Sequence, residues 1–223
     1  MLATPTDIEL VDCTAQTYAR TDPFAENLDN AVRVFLTTLP TGVSVVSFEG
    51  TKNLPGWMLD FFAIGTADPI AKLFLEIETG LHPTITHPQL GLLHAGFDAG
   101  AMSVMPHIAL AMMGKPFAIT GHSLGAALAL RVCAEFILDG TPPLKCAAFA
   151  PPRVGGDKFV KIATSVPSSA YRFGNDPVPD VPLTLPGYPY MQVPLSEVGS
   201  PMPNPFDAHA IENYVAAVHG AQR

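Results

Sequence analysis

Apolar positions along the chain fall into short runs separated by turn residues, and the spacing changes from run to run. Residues 43–48 (VSVVSF) are β-branched and apolar between Gly42 and Gly50, which predicts a buried strand. Residues 117–120, 145–150 and 170–173 are further short apolar runs and are expected as strands, with a last one at 191–193. Helical spacing lies between them. Ile70, Leu73, Phe74 and Ile77 recur at i, i+3, i+4 and i+7 behind Asp68-Pro69, which predicts a helix over 68–80. Residues 97–113 predict a long helix ending near Gly114-Lys115-Pro116, and residues 123–139 an Ala- and Leu-rich helix closed by Gly140. Shorter helices are expected over 157–164 and over 207–218, with Gly220 at the end of the latter. Toward the N-terminus, residues 1–22 are polar and mixed, and Asp22-Pro23 is expected to start a helix running to about Thr38. Residues 51–66 have no clean period, and residues 81–93 are expected as a Pro- and His-containing loop.

Apolar strands alternating with helices predict an α/β fold with a mostly parallel central sheet covered on both faces. In such sheets, sites form beyond the carboxyl ends of the strands. The 223 residues fit a single domain, 48% of them hydrophobic and 14% charged, enough apolar material for a sizeable core. The 23 prolines crowd the second half and argue for stiff loops there.

The net charge is −8, and the 12 basic residues form no patch or stripe. Nucleic-acid binding and electrostatic attachment to an anionic membrane both need clustered Lys and Arg, so neither partner is expected. Cys13, Cys133 and Cys146 are odd in number and widely spaced, which is neither a disulfide framework nor a zinc pattern. Cys133 and Cys146 lie in apolar runs and read as small core residues. Residues 1–20 carry Asp7, Glu9 and Asp12 and lack the apolar stretch of a secretory leader. The expected compartment is cytoplasmic as the chain stands, or extracellular if a leader was removed from a precursor. The most apolar run, 99–113, contains Pro106 and His107 and is too short to span a bilayer.

The strongest chemical feature is Gly121-His122-Ser123-Leu124-Gly125, a G-x-S-x-G between an expected strand and an expected helix. A sharp turn there strains the serine backbone and pushes its Oγ outward, and the glycines are needed because side chains would collide. The helix N-terminus favours developing negative charge at the same place.

A serine hydroxyl needs a base, and the base an orienting acid. With this turn the order along the chain is Ser, acid, His. Two histidines follow Ser123 at a distance, His209 and His219. His219 sits directly before Gly220 and is expected to face helix C-terminal carbonyls, so His209 is the expected base. Acid candidates are Asp139, Asp157, Asp176, Asp180, Glu197 and Asp207. Asp139 and Asp157 sit at helix edges and Asp207 is expected to cap the last helix. Asp176 follows the strand at 170–173 and is stiffened by Pro177, so it is the expected acid, with Asp180 in reserve. The oxyanion of an acyl-transfer intermediate needs two backbone donors: Leu124, after the nucleophile, and Thr51, after the strand at 43–48.

Seven segments taken together resemble the class 3 lipase family, α/β-hydrolases of the fungal triacylglycerol lipase type, from Val43 to the last expected helix. FEGT at 48–51 resembles the family's oxyanion segment, usually FRGT, with Glu49 standing where the family usually has Arg. Trp57-x-x-Asp60, His94-Ala95-Gly96-Phe97, GHSLGAALA at 121–129 and APPRVG at 150–155 follow in the family's order. NDPVPDVP at 175–182 and HAIENYV at 209–215 complete it as the acid and base segments. The resemblance implies a serine carboxylester hydrolase acting on acylglycerols or similar acyl esters through Ser123, His209 and Asp176, with no metal and no organic cofactor. Related activities are phospholipase A1, feruloyl esterase and thioesterase; a catalytically inert lipid-binding module on the same fold is the alternative of another class. The family also implies a lid after the oxyanion strand. The matching stretch holds Trp57, Met58 and Phe61, which read equally as a hinged flap over substrate or as core packing.

Overall fold

The computed structural model describes residues 3–27, 32–51, 84–182 and 189–221. Helix α1 (Asp7–Thr17) opens the described chain. Thr6 starts it with a reciprocal cap: its Oγ1 accepts from the Glu9 N–H at 3.2 Å, and Glu9 Oε2 accepts from the Thr6 N–H at 2.8 Å. Strands β1 (Ala25–Asn27), β2 (Val32–Thr38) and β3 (Ser44–Phe48) follow. The expected helix from Asp22 to Thr38 is therefore not formed. Val32, Val34, Phe35, Thr37 and Thr38 make residues 32–38 β-branched and aromatic, and pairing with β3 in the register Val34↔Phe48 fixes them as a strand. The expected loop at 81–93 is, where described, a hairpin of β4 (Thr84–His87) and β5 (Gly91–His94), turned at Gly91 with φ +73°.

Helix α2 (Ala95–Met112) begins at His94, whose Nδ1 accepts from the Phe97 N–H at 3.4 Å. Then come β6 (Phe117–His122), α3 (Leu124–Leu138), β7 (Cys146–Phe149), α4 (Asp157–Ala163) and β8 (Ser168–Phe173), each close to its predicted place. Residues 191–193 do not form the last strand. Met191 makes one bridge to Gly155, and the last strand is β9 (Ser196–Val198). The single closing helix is two pieces, α5 (Pro205–Ala208) and α6 (Ile211–Gly220), broken at His209 and Ala210. Asn204 rather than Asp207 caps the first piece, its side chain accepting from the Phe206 N–H. The predicted helix over 68–80 lies outside the described residues.

Seven strands form one sheet in the order β1-β2-β3-β6-β7-β8-β9. The pairs from β3 to β9 are parallel, and β1 and β2 add an antiparallel edge. Neighbouring residues on the central strands belong to different apolar clusters. Val46, Ile119 and Ala148 pack with α2 and α3, while Val45, Ala118 and Ala147 pack with α1 and α6. Both faces are thus covered, as a parallel sheet requires. Cys13, Cys133 and Cys146 are buried free thiols. Among the described residues, no helix is long and apolar enough to cross a membrane.

Candidate active site

The register brings three strand ends together. Phe48 pairs with Gly121, His122 with Phe149, and Phe149 with Tyr171. The segments leaving β3, β6 and β8 therefore emerge at the same end of the sheet, with β7 between β6 and β8, and they carry Thr51, Ser123 and Asp176.

Ser123 occupies the turn between β6 and α3 at φ 58° and ψ −128°. A non-glycine residue there stores about 1 to 3 kcal/mol of strain and persists only where its surroundings impose it. Here the imposition is steric. A Cβ on Gly121 would collide with the Gly125 carbonyl, and one on Gly125 with the Phe48 carbonyl. The turn is thus pressed against the end of β3, while the Ser123 N–H is tied to the Phe149 carbonyl of β7 at 2.9 Å.

Asp176 is fully buried just beyond β8. Its backbone N–H returns to the Phe173 carbonyl at 2.9 Å, and its Oδ1 accepts from the Val178 N–H at 2.9 Å. Its Oδ2 faces His209 Nδ1 at 2.8 Å and accepts from the Tyr214 hydroxyl at 2.5 Å. A carboxylate only accepts, so His209 Nδ1 carries a proton, and Nε2 is the ring nitrogen that does not face Asp176. That Nε2 and Ser123 Oγ are both buried atoms without a hydrogen-bond partner among the described residues. The break between α5 and α6 is what turns His209 inward, since its backbone leaves one helix before the next begins.

None of the remaining acid candidates pairs with His209 among the described residues: Glu197 is exposed on β9, and Asp207 accepts from Asn204 Nδ2 at 2.9 Å. Asp180 is half-exposed and pairs with Arg172 at 2.7 Å and with Arg153 at 3.6 Å. Asp139 and Asp157 stay at helix ends, the latter paired with Lys161 at 2.6 Å. His219 does not meet helix carbonyls. Its Nε2 reaches Asp12 Oδ1 at 2.9 Å and joins α6 to α1. Thr51 adjoins the elbow through its neighbour: a Cβ on Gly50 would lie 3.3 Å from Ser123 Cβ and 2.7 Å from the His122 carbonyl oxygen. Trp57, Met58 and Phe61 lie outside the described residues.

Two groups at the site were not singled out from sequence. Tyr214 is fully buried, and burial followed by the Asp176 charge pushes its hydroxyl pKa far up, so it stays a donor. Tyr18, at the end of α1, places its hydroxyl 2.7 Å from His122 Nδ1. His122, inside the elbow, is buried behind His209 with ring centroids 4.5 Å apart. Burial first, and the neighbouring His209 second, hold its pKa well below the ordinary imidazole value. Glu49, where an arginine was expected by resemblance, is buried at the end of β3 and pairs with Arg33 of β2 at 2.8 Å. Among the described residues, no group of three or more His, Cys, Asp or Glu side chains is arranged to hold a metal ion.

Comparison with known proteins agrees with this architecture. Residues 45–185 match the family model described as lipase (class 3). A Fusarium solani protein named secreted mono- and diacylglycerol lipase 1 is 33% identical over 150 residues, which are 65% of this chain and 40% of that protein. A Penicillium camembertii protein named secreted mono- and diacylglycerol lipase A is 42% identical over 72 residues, 31% of this chain and 23% of that one. The chain thus spans well under half the length of these relatives. Among solved structures, a mutant form of MDLA from Penicillium cyclopium superposes with a TM-score of 0.59 at 22% identity, covering 82% of this chain and 64% of that one. Lipase II from Rhizopus niveus superposes with a TM-score of 0.57 at 17% identity, covering 86% and 76%. At such identities the superpositions establish the fold, an α/β-hydrolase sheet.

Proposed function

Since the chain belongs to the lipase (class 3) family, we propose that it is a serine carboxylester hydrolase cleaving acylglycerols through Ser123, His209 and Asp176. The observation that carries this reading is the buried His209–Asp176 pair, 2.8 Å apart, beside a serine on a strained elbow. A neutral imidazole whose Nδ1–H is held by a carboxylate has its Nε2 lone pair left for a proton. No other histidine pairs with a fully buried carboxylate among the described residues.

In this mechanism Ser123 Oγ attacks the ester carbonyl carbon while His209 Nε2 takes the hydroxyl proton. Asp176 keeps the ring in the Nδ1–H tautomer and stabilises the imidazolium. The oxyanion is held by the N–H groups of Leu124 and Thr51. The carbon–oxygen ester bond then breaks, His209 returns the proton to the leaving alcohol, and an acyl group remains on Ser123. Water gives a proton to His209 and attacks the acyl carbon, the bond from that carbon to Ser123 Oγ breaks, and His209 returns the proton to Oγ, which releases the free acid and restores the serine. All the chemistry is done by side chains and backbone amides.

Mono- and diacylglycerols are the first substrates to try, because the two relatives are named for them. Both names also call those proteins secreted, which favours the extracellular alternative for this chain. The test measures hydrolysis of monoacylglycerol, diacylglycerol and p-nitrophenyl esters from acetate to palmitate, alongside fluorophosphonate labelling. Wild type should hydrolyse and label, and Ser123→Ala should do neither. Wild-type protein that neither labels nor turns over any of these esters would favour the inert lipid-binding module.

A further inference from the structure

His122 is a buried side chain that the reaction above does not use, yet both its ring nitrogens are engaged. Its Nε2 lies 2.9 Å from the backbone carbonyl oxygen of His209, and its Nδ1 lies 2.7 Å from the Tyr18 hydroxyl. A carbonyl oxygen only accepts, so Nε2 must carry the proton. Burial keeps the ring neutral, so Nδ1 is then an acceptor and Tyr18 must donate to it. The Tyr18 hydroxyl in turn lies directly against the backbone of Gly50. Gly50 has room for this only because it lacks a side chain, since a Cβ there would overlap the Tyr18 hydroxyl. Both donors in the series are thereby assigned: Tyr18 O–H to His122, and His122 Nε2–H to the His209 carbonyl.

The ring is also held from three sides. Tyr18 meets it edge-on at 6.0 Å, Tyr214 edge-on at 5.5 Å and His209 at a 37° tilt and 4.5 Å. Tyr18 and Tyr214 come from α1 and from α6, so His122 is fixed relative to both helices that cover this face of the sheet.

We propose that Tyr18 and His122 are positioning residues that tie the oxyanion loop at Gly50-Thr51 to the backbone of the base His209, so that the two halves of the site keep a fixed separation. The inference rests on the functional reading above. Acyl transfer needs the oxyanion donors and the base Nε2 placed around one carbonyl at the same moment, and a small misplacement lowers the rate without weakening substrate binding. Neither side chain touches the reacting atoms in this scheme. Their effect is on the geometry of groups that do.

The test is a double-mutant cycle with Tyr18→Phe, His122→Leu and the two combined, on p-nitrophenyl butyrate. Rates are taken per fluorophosphonate-titrated Ser123, so that misfolded protein is not counted. His122→Gln is added because its amide can still donate to the His209 carbonyl. Each single change should lower kcat about tenfold with KM within about twofold, the size of one lost transition-state hydrogen bond. The double variant should be no slower than the slower single variant, because both cut the same series, and His122→Gln should recover part of the loss of His122→Leu. Unchanged kcat per titrated site in Tyr18→Phe and His122→Leu, or fully multiplicative losses, would overturn the proposal. Loss of the nucleophile reading is separate: it is read from Ser123→Ala and from wild-type labelling, which these variants do not enter.

Discussion

Tyr214 donates a 2.5 Å hydrogen bond to Asp176 Oδ2, the same oxygen that faces His209 Nδ1. Both residues are fully buried, so the carboxylate is held by protein donors alone: Tyr214 and His209 on Oδ2, Val178 on Oδ1. Tyr214 is itself held, since its oxygen accepts the Phe173 N–H at 3.0 Å from the last residue of β8. The hydroxyl thus links the strand that precedes Asp176, the proposed acid, with the helix that follows His209, the proposed base.

Replacing Tyr214 by Phe removes one donor from a buried charge and strands the Phe173 N–H. Hydrogen bonds to charged groups contribute about 1.5 to 3 kcal/mol, so the variant should lose about 2 kcal/mol of stability. Its kcat should fall by about tenfold with little change in KM, because Asp176 is freer to turn. Urea denaturation and steady-state kinetics on the same preparation check both. A variant as stable and as fast as wild type would show that the contact contributes nothing.

Asp176→Asn and Asp180→Asn separate the acid from its reserve. An amide at 176 offers N–H or C=O to His209 but cannot hold the Nδ1–H tautomer and stabilise the cation, so kcat should drop about a thousandfold or more. Asp180 is half-exposed and paired with Arg172 and Arg153, a structural contact whose loss costs about 1 kcal/mol or less. Its kcat should stay within about twofold of wild type. The reverse ranking would move the acid role to Asp180.

His122 gives stability a pH dependence whose sign can be worked out. In the unfolded chain an imidazole takes up a proton near pH 6.5, whereas burial holds the folded pKa well below that. Below pH 6.5 the unfolded state therefore binds more protons, and stability falls as pH falls. One such group contributes at most about 1.4 kcal/mol per pH unit between the two pKa values. In His122→Gln the fall in stability from pH 6.5 to 5 should be shallower than in wild type by up to that amount. Urea titrations at pH 5, 6 and 7 measure it, and parallel slopes for the two proteins would remove His122 as the cause. The groups facing the ring are Tyr18, His209 and Tyr214.

What the sequence discloses about this site is what local chemistry dictates. The elbow is legible because its constraint is short-range: Gly121, Ser123 and Gly125 sit within five residues, and the collisions that demand glycine are with each other and with the adjacent strand. Asp176 and His209 could be named as candidates by chain order and by strand ends, and folding brings them within 2.8 Å. Tyr214 and Tyr18 could not, because their partners lie 38 and 104 residues away and no spacing announces a hydroxyl that will arrive by folding. The N-terminal region misleads for a different reason. Asp22-Pro23 is a good helix start, but nothing helical follows it, and the alternation Val32-Arg33-Val34 finds its meaning only in pairing with β3. Helix α1 was available in the Thr6-x-x-Glu9 cap, a signal present in the chain but outweighed by the polar composition around it.

Glu49 should resist conversion to the residue that the family usually carries. Its carboxylate is buried at the end of β3 and lies 2.8 Å from Arg33 Nη1, while its backbone N–H bonds the Arg33 carbonyl at 3.0 Å. Arg33 lies in turn over the Phe35 ring at 5.2 Å, a ring that Arg20 also approaches at 4.9 Å. Glu49→Arg would replace a buried carboxylate by a guanidinium directly beside that of Arg33, which would keep Glu26 at 3.8 Å, so it should destabilise by about 2 kcal/mol or more. Arg33→Met removes a counter-charge 2.8 Å from a buried carboxylate and should cost about 2 kcal/mol or less after allowing for the partial exposure of Arg33. The exchange Arg33→Glu with Glu49→Arg restores opposite charges and should recover at least about 1 kcal/mol over the single changes combined. Because Gly50 and Thr51 directly follow Glu49, single variants should also lose activity per titrated serine, and the exchange should regain part of it. Thermal and urea unfolding of the four proteins give the coupling energy. A coupling near zero would mean that the 2.8 Å pair contributes nothing to the end of β3 and that Glu49 is held by its other surroundings.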